Sequence, residues 1–180
     1  MSKELLYKPG CMRTFSGQMI EVANPDPLQL YAIDIAVGLS RECRFGGHTK
    51  RFYSVAEHAM WCADRALELF PDKKYIAFKL LMHDAHEAYL KDIPSPVKSL
   101  IPAYEYLRAN WDKAIELRFG LTPFHYHEEE IKAIDREALE WEFEHKFLNH
   151  HGIELPDHTR IDLFIQYFTK LCPVPHCLMP

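Results

Sequence analysis

The chain has 180 residues, 48% of them apolar and 26% charged, and carries a formal net charge of −5. That length and balance suit one compact domain with a single core, and the acidic sign argues against a general nucleic-acid coat, which needs a basic excess. No apolar run approaches the roughly 20 residues of a membrane helix, MSKELLYKPG lacks a signal-peptide core, and Cys11, Cys43, Cys62, Cys172 and Cys177 form no CxxC pair. The expectation is a protein of a reducing cytosol, with free thiols, no membrane contact and no nucleic-acid partner.

Residues 1–27 read as an N-terminal arm. RTFSGQMIEV places two short β-prone runs around Ser16-Gly17, a hairpin signal, and NPDP (Asn24 to Pro27) then punctuates the chain. From Leu28 to the end, residues 28–180, the pattern is helical. Leu28, Leu30, Ile33, Ile35, Ala36 and Leu39 predict a mostly apolar helix ending near Ser40. RECRFGGHTKRFY is a loop with Gly46-Gly47 at its centre. Ser54 and Glu57 form a capping box, opening a helix from Val55 to about Phe70. Asp72 is placed as the cap of a helix running to about Leu90, and Pro94 and Pro96 end that region. A helix over Tyr104 to Phe119 is stopped by Gly120. A long one spans Glu128 to Leu148, and a last one starts at Asp157 or Thr159 and ends before Pro173. Trp61, Trp111 and Trp141 fall at apolar helix positions and read as core. His125, His127, His150 and His151 lie at turns or helix ends and read as solvent-facing, and CPVPHC (Cys172 to Cys177) as a tail. The fold class is all-α: a single helical bundle with a small N-terminal β-hairpin.

The chemistry concentrates in LLMHDAHEAYLKDIP, Leu80 to Pro94. His83-Asp84 offers one nitrogen and one oxygen ligand from adjacent positions, a combination suited to Zn, Mn, Fe or Co. Two ligands hold a metal weakly. His58 comes early in its helix and His83 late in the next, so an antiparallel pair brings them together. Asp135, in IKAIDREAL, follows Ile131 and Ile134 and lies close to an apolar face, where a metal offsets the cost of a buried charge. By spacing alone Asp34, Asp64 and Asp112 are rival helical aspartates. Glu87, four residues beyond His83, shares its helix face and is placed to orient or deprotonate a water. His86 faces away from His83 on the same geometry, though HDAHE puts it near the site.

These segments resemble a known family. YSVAEHA, LLMHDAHEAYLKDIP and IKAIDREAL look like the three metal-binding segments of the HD-domain metal-dependent phosphohydrolases, and the likeness covers most of the chain. RECRFGGHTKRFYSVAEHA is similar to a phage and prophage branch that includes deoxynucleoside triphosphohydrolases acting on dATP. A sister branch comprises 5′-deoxynucleotidases. The resemblance implies metal ligands at His58, His83, Asp84 and Asp135, and further acidic site residues at Glu87 and Asp92. It implies a phosphate-contacting arginine at Arg44, whose planar fork matches phosphate oxygens. Phe45 beside it can pack on sugar or base, Gly46-Gly47 let backbone approach a ligand, His48 adds charge to the same stretch, and Lys98 reaches for the polyphosphate.

The expected activity is hydrolysis of a deoxynucleoside 5′-phosphate, with dATP the first choice on resemblance alone: water attacks the α-phosphorus and deoxynucleoside and triphosphate leave. A 5′-deoxynucleotidase releasing phosphate from monophosphates shares the same centre, and a nucleotide-binding regulator without turnover is the rival from another class. The expected cofactor is one divalent transition metal, Mn, Co, Zn, Fe or Ni, with a second ion such as Mg accompanying the polyphosphate. The expected partners are a nucleotide substrate and further copies of the chain in a homo-oligomer. The roles of Glu87 and Asp92 are not separated at this level.

Overall fold

The computed structural model describes residues 8–121, 123, 126–148, 154–174 and 177–178. It is mostly helical with one two-stranded antiparallel hairpin. Strands β1 (Cys11–Arg13) and β2 (Met19–Glu21) pair with Met12 opposite Ile20, so Ser16-Gly17 lies in the connecting turn. The hairpin is part of the main core. Ile20 is fully buried, and the turn is docked onto a helix by Ser16, whose N and Oγ donate to Asp34 at 2.6 and 2.8 Å.

The helices are α1 (Ala32–Arg41), α2 (Val55–Leu69), α3 (Lys74–Met82), α4 (Glu87–Leu90), α5 (Ser95–Lys98), α6 (Pro102–Phe119), α7 (Glu128–Glu142) and α8 (Asp157–Leu171). Several starts differ from the pattern-based expectation, each for a local reason. Asp26 caps a short 3₁₀ turn over Pro27–Gln29 and Leu30 is extended, so the first helix begins at Ala32 instead of Leu28. Asp72 caps nothing: Lys73 holds the cap position of α3, with no side-chain bond. In α6 Pro102 takes the first turn, where its missing N–H costs nothing. Gly120 ends α6 in the left-handed conformation, as expected. The long helix from Glu128 stops at Glu142 and continues as a π-helical turn over Phe143–Leu148.

Small residues decide how the bundle closes. Ala56, Ala59, Cys62, Ala63 and Ala66 form the buried face of α2, letting α3 pack close against it with Leu80 and Leu81. Helix α8 brings Phe164 and Phe168 to α1 and α3, and Phe168 meets Phe78 and Phe119 edge-on at 5.5 and 5.4 Å. Trp111 is fully buried, stacks on Tyr89 at 4.1 Å and donates to the Val22 carbonyl, tying α6 to α4 and to the hairpin's exit. The other two tryptophans are not core. Trp61 and Trp141 are half-buried and meet each other at 5.7 Å. Among the histidines expected at turns, His127 is half-buried against the Tyr75 ring, while His125, His150 and His151 lie outside the described residues, as do Pro175 and His176 of the tail. Among the described residues no helix is long and apolar enough to cross a membrane.

Candidate metal centre

The first ligand is placed by a cap. Ser54 Oγ accepts from the Glu57 N–H at 3.2 Å while Glu57 Oε2 accepts from the Ser54 N–H at 3.0 Å, the reciprocal box read from the sequence. It starts α2 one turn before His58, which is fully buried.

The second and third ligands sit at a helix break that the periodicity does not show. The expected single helix from 72 to 90 ends at Met82. The His83 Nδ1–H donates to the Leu80 carbonyl at 2.6 Å, the acceptor that the next helical N–H would otherwise use alone. The chain then tightens: Ala85 N–H bonds to Met82 O and Glu87 N–H to Asp84 O, three residues apart instead of four. His83 and Glu87 therefore do not share a regular helix face. Adjacent His83 and Asp84 point to one place, with Nε2 and Oδ2 3.2 Å apart.

Asp135 arrives from α7. His58 Nε2 lies 3.2 Å from Asp135 Oδ1, 3.6 Å from Asp84 Oδ2 and 3.3 Å from His83 Nε2, and His83 Nε2 lies 3.7 Å from Asp135 Oδ1. A first-row ion about 2.0–2.2 Å from each ligand spaces its ligand atoms by about 2.8–3.6 Å, from right-angle to tetrahedral geometry. Four of the five separations fall on that scale, and the fifth, 3.7 Å between His83 and Asp135, lies just above it.

The donor chemistry fits equally well. The carbonyl of Leu80 can only accept, so His83 carries its proton on Nδ1 and presents a lone pair at Nε2. His58 Nδ1 is 2.8 Å from Glu142 Oε1 and donates to it, leaving its Nε2 lone pair to face that of His83. Two imidazole lone pairs and two carboxylate oxygens converge, an arrangement that calls for a cation. The same carboxylates also favour a second proton on each ring. Burial opposes charge on both rings, but Asp84 and Asp135 outweigh it and lift His83 well above its ordinary value, while Cys62 and Asp135 do the same for His58. Burial would raise Asp84 and Asp135, yet their histidine neighbours hold both below the usual carboxylate range. Among the aspartates considered, Asp34 serves the hairpin and Asp64 accepts from Tyr167, so neither competes with Asp135.

Behind the ligands lies a residue the sequence reading missed. Glu142 is fully buried, accepts from His58 through Oε1 and from Arg44 Nη2 through Oε2 at 2.9 Å. It stands seven residues after Asp135, two turns along the same face, in a stripe otherwise made of Ile131, Ile134 and Ala138. An acid on an apolar stripe was the available signal. Arg44 is thus anchored from behind, with Nη1 3.8 Å from Asp84 Oδ2 in front.

Two cavities open on the centre, both lined by Asp84, Asp135 and Lys98. The first, about 400 Å³, adds Arg44, Phe45, Glu87, Asp92 and the apolar surfaces of Pro94 and Phe143. Phe45 sits at φ 57°, a left-handed strain of about 1–3 kcal/mol for a bulky residue, and is held there against Phe143 and Phe147 at 6.0 and 4.9 Å. Lys91, at φ 75°, makes a second strained corner just before Asp92; Glu42 secures it by accepting from Lys91 Nζ at 2.8 Å and from the Asp92 N–H. Glu87 is buried. Burial, then the charges of Asp84 and Asp92, push its carboxyl up to about 8 despite Lys98, which donates to Oε1 at 2.9 Å. Burial also raises Asp92. The second cavity, about 450 Å³, adds His86, Arg108, Asp112 and Lys132. His48 is exposed on its loop and lines neither cavity; the curl of Phe45 to Gly47 carries it off to one side.

No family model matches the chain. The chain is similar to the uncharacterized protein YfdR of Escherichia coli K12, 43% identical over 112 residues, which covers 62% of this chain and 60% of that protein. It is also similar to an uncharacterized protein of Rhodobacter capsulatus, 35% identical over 120 residues, covering 63% of this chain and 60% of that protein. The matches span about three fifths of the length of both relatives.

Proposed function

We propose that this chain is a metal-dependent phosphohydrolase of deoxynucleoside 5′-phosphates, with dATP its first substrate and deoxynucleoside and triphosphate its products. The observation that carries the reading is the convergence of His58, His83, Asp84 and Asp135 at ligand spacing, each imidazole anchored through its other nitrogen. These four would hold one divalent ion of the Mn, Co, Zn, Fe or Ni type, which supplies positive charge to a phosphoryl oxygen and makes a nearby water more acidic.

The chain's own groups do the rest. Arg44, with Nε free of any hydrogen bond, keeps donors for a phosphoryl oxygen while Glu142 fixes its far edge. The 400 Å³ cavity accommodates the nucleoside, with Phe45 and Phe143 against its flat parts. Glu87 Oε2 has no partner, and this carboxyl accepts a proton from the attacking water; a cation at the centre lowers its affinity for that proton and readies it to do so. Asp92, which lines the same cavity, returns a proton to the departing O5′. Lys98 joins the two cavities and reaches for the phosphates beyond the scissile one.

The triphosphate is favoured over the monophosphate by the second cavity, where Lys98, Arg108 and Lys132 give three cations beyond the scissile phosphate. The 5′-deoxynucleotidase reading has its own supporting observation: each of those cations already meets an acid, Glu87 for Lys98, Glu105 and Asp112 for Arg108, Glu128 for Lys132. A panel of dNTPs and dNMPs with Mn or Co, read by chromatography of the products, decides. Deoxynucleoside and triphosphate in equal amounts support the proposal; turnover of monophosphates alone replaces it with the second reading. Glu87→Gln lowers kcat at least about 100-fold with metal content unchanged. Turnover indifferent to that change and to chelator would remove the catalytic assignment.

A further inference from the structure

His86 has no task in the reaction as derived so far, yet it is one of the least exposed polar residues, at 4% of its surface. It lines the 450 Å³ cavity beside His83 and Asp84. Its Nδ1 lies 3.0 Å from Asp112 Oδ1 without making a hydrogen bond, and neither ring nitrogen nor that oxygen has a hydrogen-bond partner among the described residues. A buried imidazole left in this state is costly and calls for an explanation. Asp112 is itself secured: its Oδ2 accepts from Arg108 Nη1 at 3.1 Å, and Arg108 is held from the other side by Glu105. An imidazole with unused hydrogen-bonding capacity and a fixed guanidinium therefore stand on the same cavity wall.

We propose that His86, on the cavity wall beside the Asp112–Arg108 pair, is the group that reads the phosphate chain beyond the α-phosphate and so sets the preference for triphosphate over monophosphate. The inference rests on the triphosphate reading above. With the nucleoside in the 400 Å³ cavity and the α-phosphate at Asp84 and Asp135, the β- and γ-phosphates extend into the 450 Å³ one. An N–H on His86 then donates to a phosphate oxygen, and Arg108 exchanges one of its carboxylate partners for a phosphate oxygen. Lysines supply charge without fixed direction, whereas a ring confined by burial supplies direction, which is what distinguishes chain lengths.

The test is equilibrium binding of Mg-dATP and of dAMP to metal-loaded Glu87→Gln protein, which binds without turnover, compared with the same protein carrying His86→Phe or His86→Gln. Metal content and thermal melting verify that each variant is folded. The expected result is a loss of dATP affinity of at least about tenfold in His86→Phe, 1.4 kcal/mol by the standard conversion. dAMP affinity stays within about twofold, and dATP binding is largely rescued in His86→Gln, whose amide again donates. Equal losses for both nucleotides, or none, overturn the role of His86 and leave the phosphohydrolase intact. Binding of dAMP but not dATP by the Glu87→Gln protein itself overturns the triphosphate reading instead. Should His86→Phe not fold, His86→Gln and Asp112→Asn carry the comparison, and unchanged dATP binding in both overturns the proposal.

Discussion

The same motif is built twice around this centre, and the two copies differ in one respect. His58, Glu142 and Arg44 form a chain of imidazole, carboxylate and guanidinium, and so do His86, Asp112 and Arg108. In the first, the carboxylate makes a 2.8 Å bond to the histidine and is fully buried. In the second, the carboxylate is part-exposed and the histidine contact makes no hydrogen bond, leaving the ring nitrogens without a hydrogen-bond partner among the described residues. The first chain uses its hydrogen bonds to orient a candidate metal ligand. On the reading proposed above, the second keeps them for a ligand that enters from the cavity. Satisfaction of the carboxylate–histidine bond is then what would separate scaffold from recognition surface.

The largest effect should come from breaking the satisfied copy. Glu142→Leu leaves Arg44 buried without its main partner and His58 Nδ1 without an acceptor. A loss of about 3–5 kcal/mol of stability is expected, read by denaturant unfolding, together with a 10- to 100-fold loss of metal affinity by the logic of outer-shell support. A Glu142→Leu protein with wild-type stability and metal content would erase the distinction between the two chains. Next comes the ion itself. Chelated protein should melt lower than protein supplied with Mn or Zn, and at about 100 times the dissociation constant the ion adds about 2.7 kcal/mol. Asp135→Asn should abolish most of that shift, because it removes the charge that α7 contributes. A thermal scan of both proteins with and without metal measures it.

A smaller effect is expected where α1 crosses α4. A Cβ added at Gly38 would lie 2.7 Å from Ala88 Cβ and 2.9 Å from its carbonyl oxygen, backbone that cannot swing away. Gly38→Ala should cost about 1–3 kcal/mol of stability and also lower kcat, since α4 begins at Glu87. A stability loss with kcat unchanged would mean that α4 can shift without disturbing the site.

What is legible in the sequence follows the same division between local and distant causes. The capping box that places His58, the glycine stop after α6 and the hairpin turn at Ser16-Gly17 are made by neighbours a few residues apart, and all were legible. The break after Met82 was not, because its cause is a side-chain bond from His83 back to the Leu80 carbonyl, which competes with a strong helical pattern. The π-helical turn that brings Phe143 and Phe147 against Phe45 depends on contacts across about 100 positions of chain. Glu142 and Asp112 were missed as partners for the same reason: each acts on a histidine from another helix. Phosphate number was beyond reach, since it depends on which cations face a cavity and what already holds them.

The smallest prediction turns on that last point. Lys132 is 65% exposed and pairs with Glu128 one turn away on α7. Exposed pairs of this kind contribute little to stability, so Lys132→Ala should leave the melting temperature unchanged. If the second cavity takes the phosphate chain, Lys132 exchanges Glu128 for a phosphate oxygen at almost no cost, and the variant should raise KM for dATP several-fold while kcat and the KM for dAMP stay as they were. An effect on kcat would place Lys132 nearer the scissile bond than the cavity lining suggests. No effect on either nucleotide would mean that its pairing with Glu128 is kept in the complex, and the recognition surface would then shrink to His86, Arg108 and Lys98.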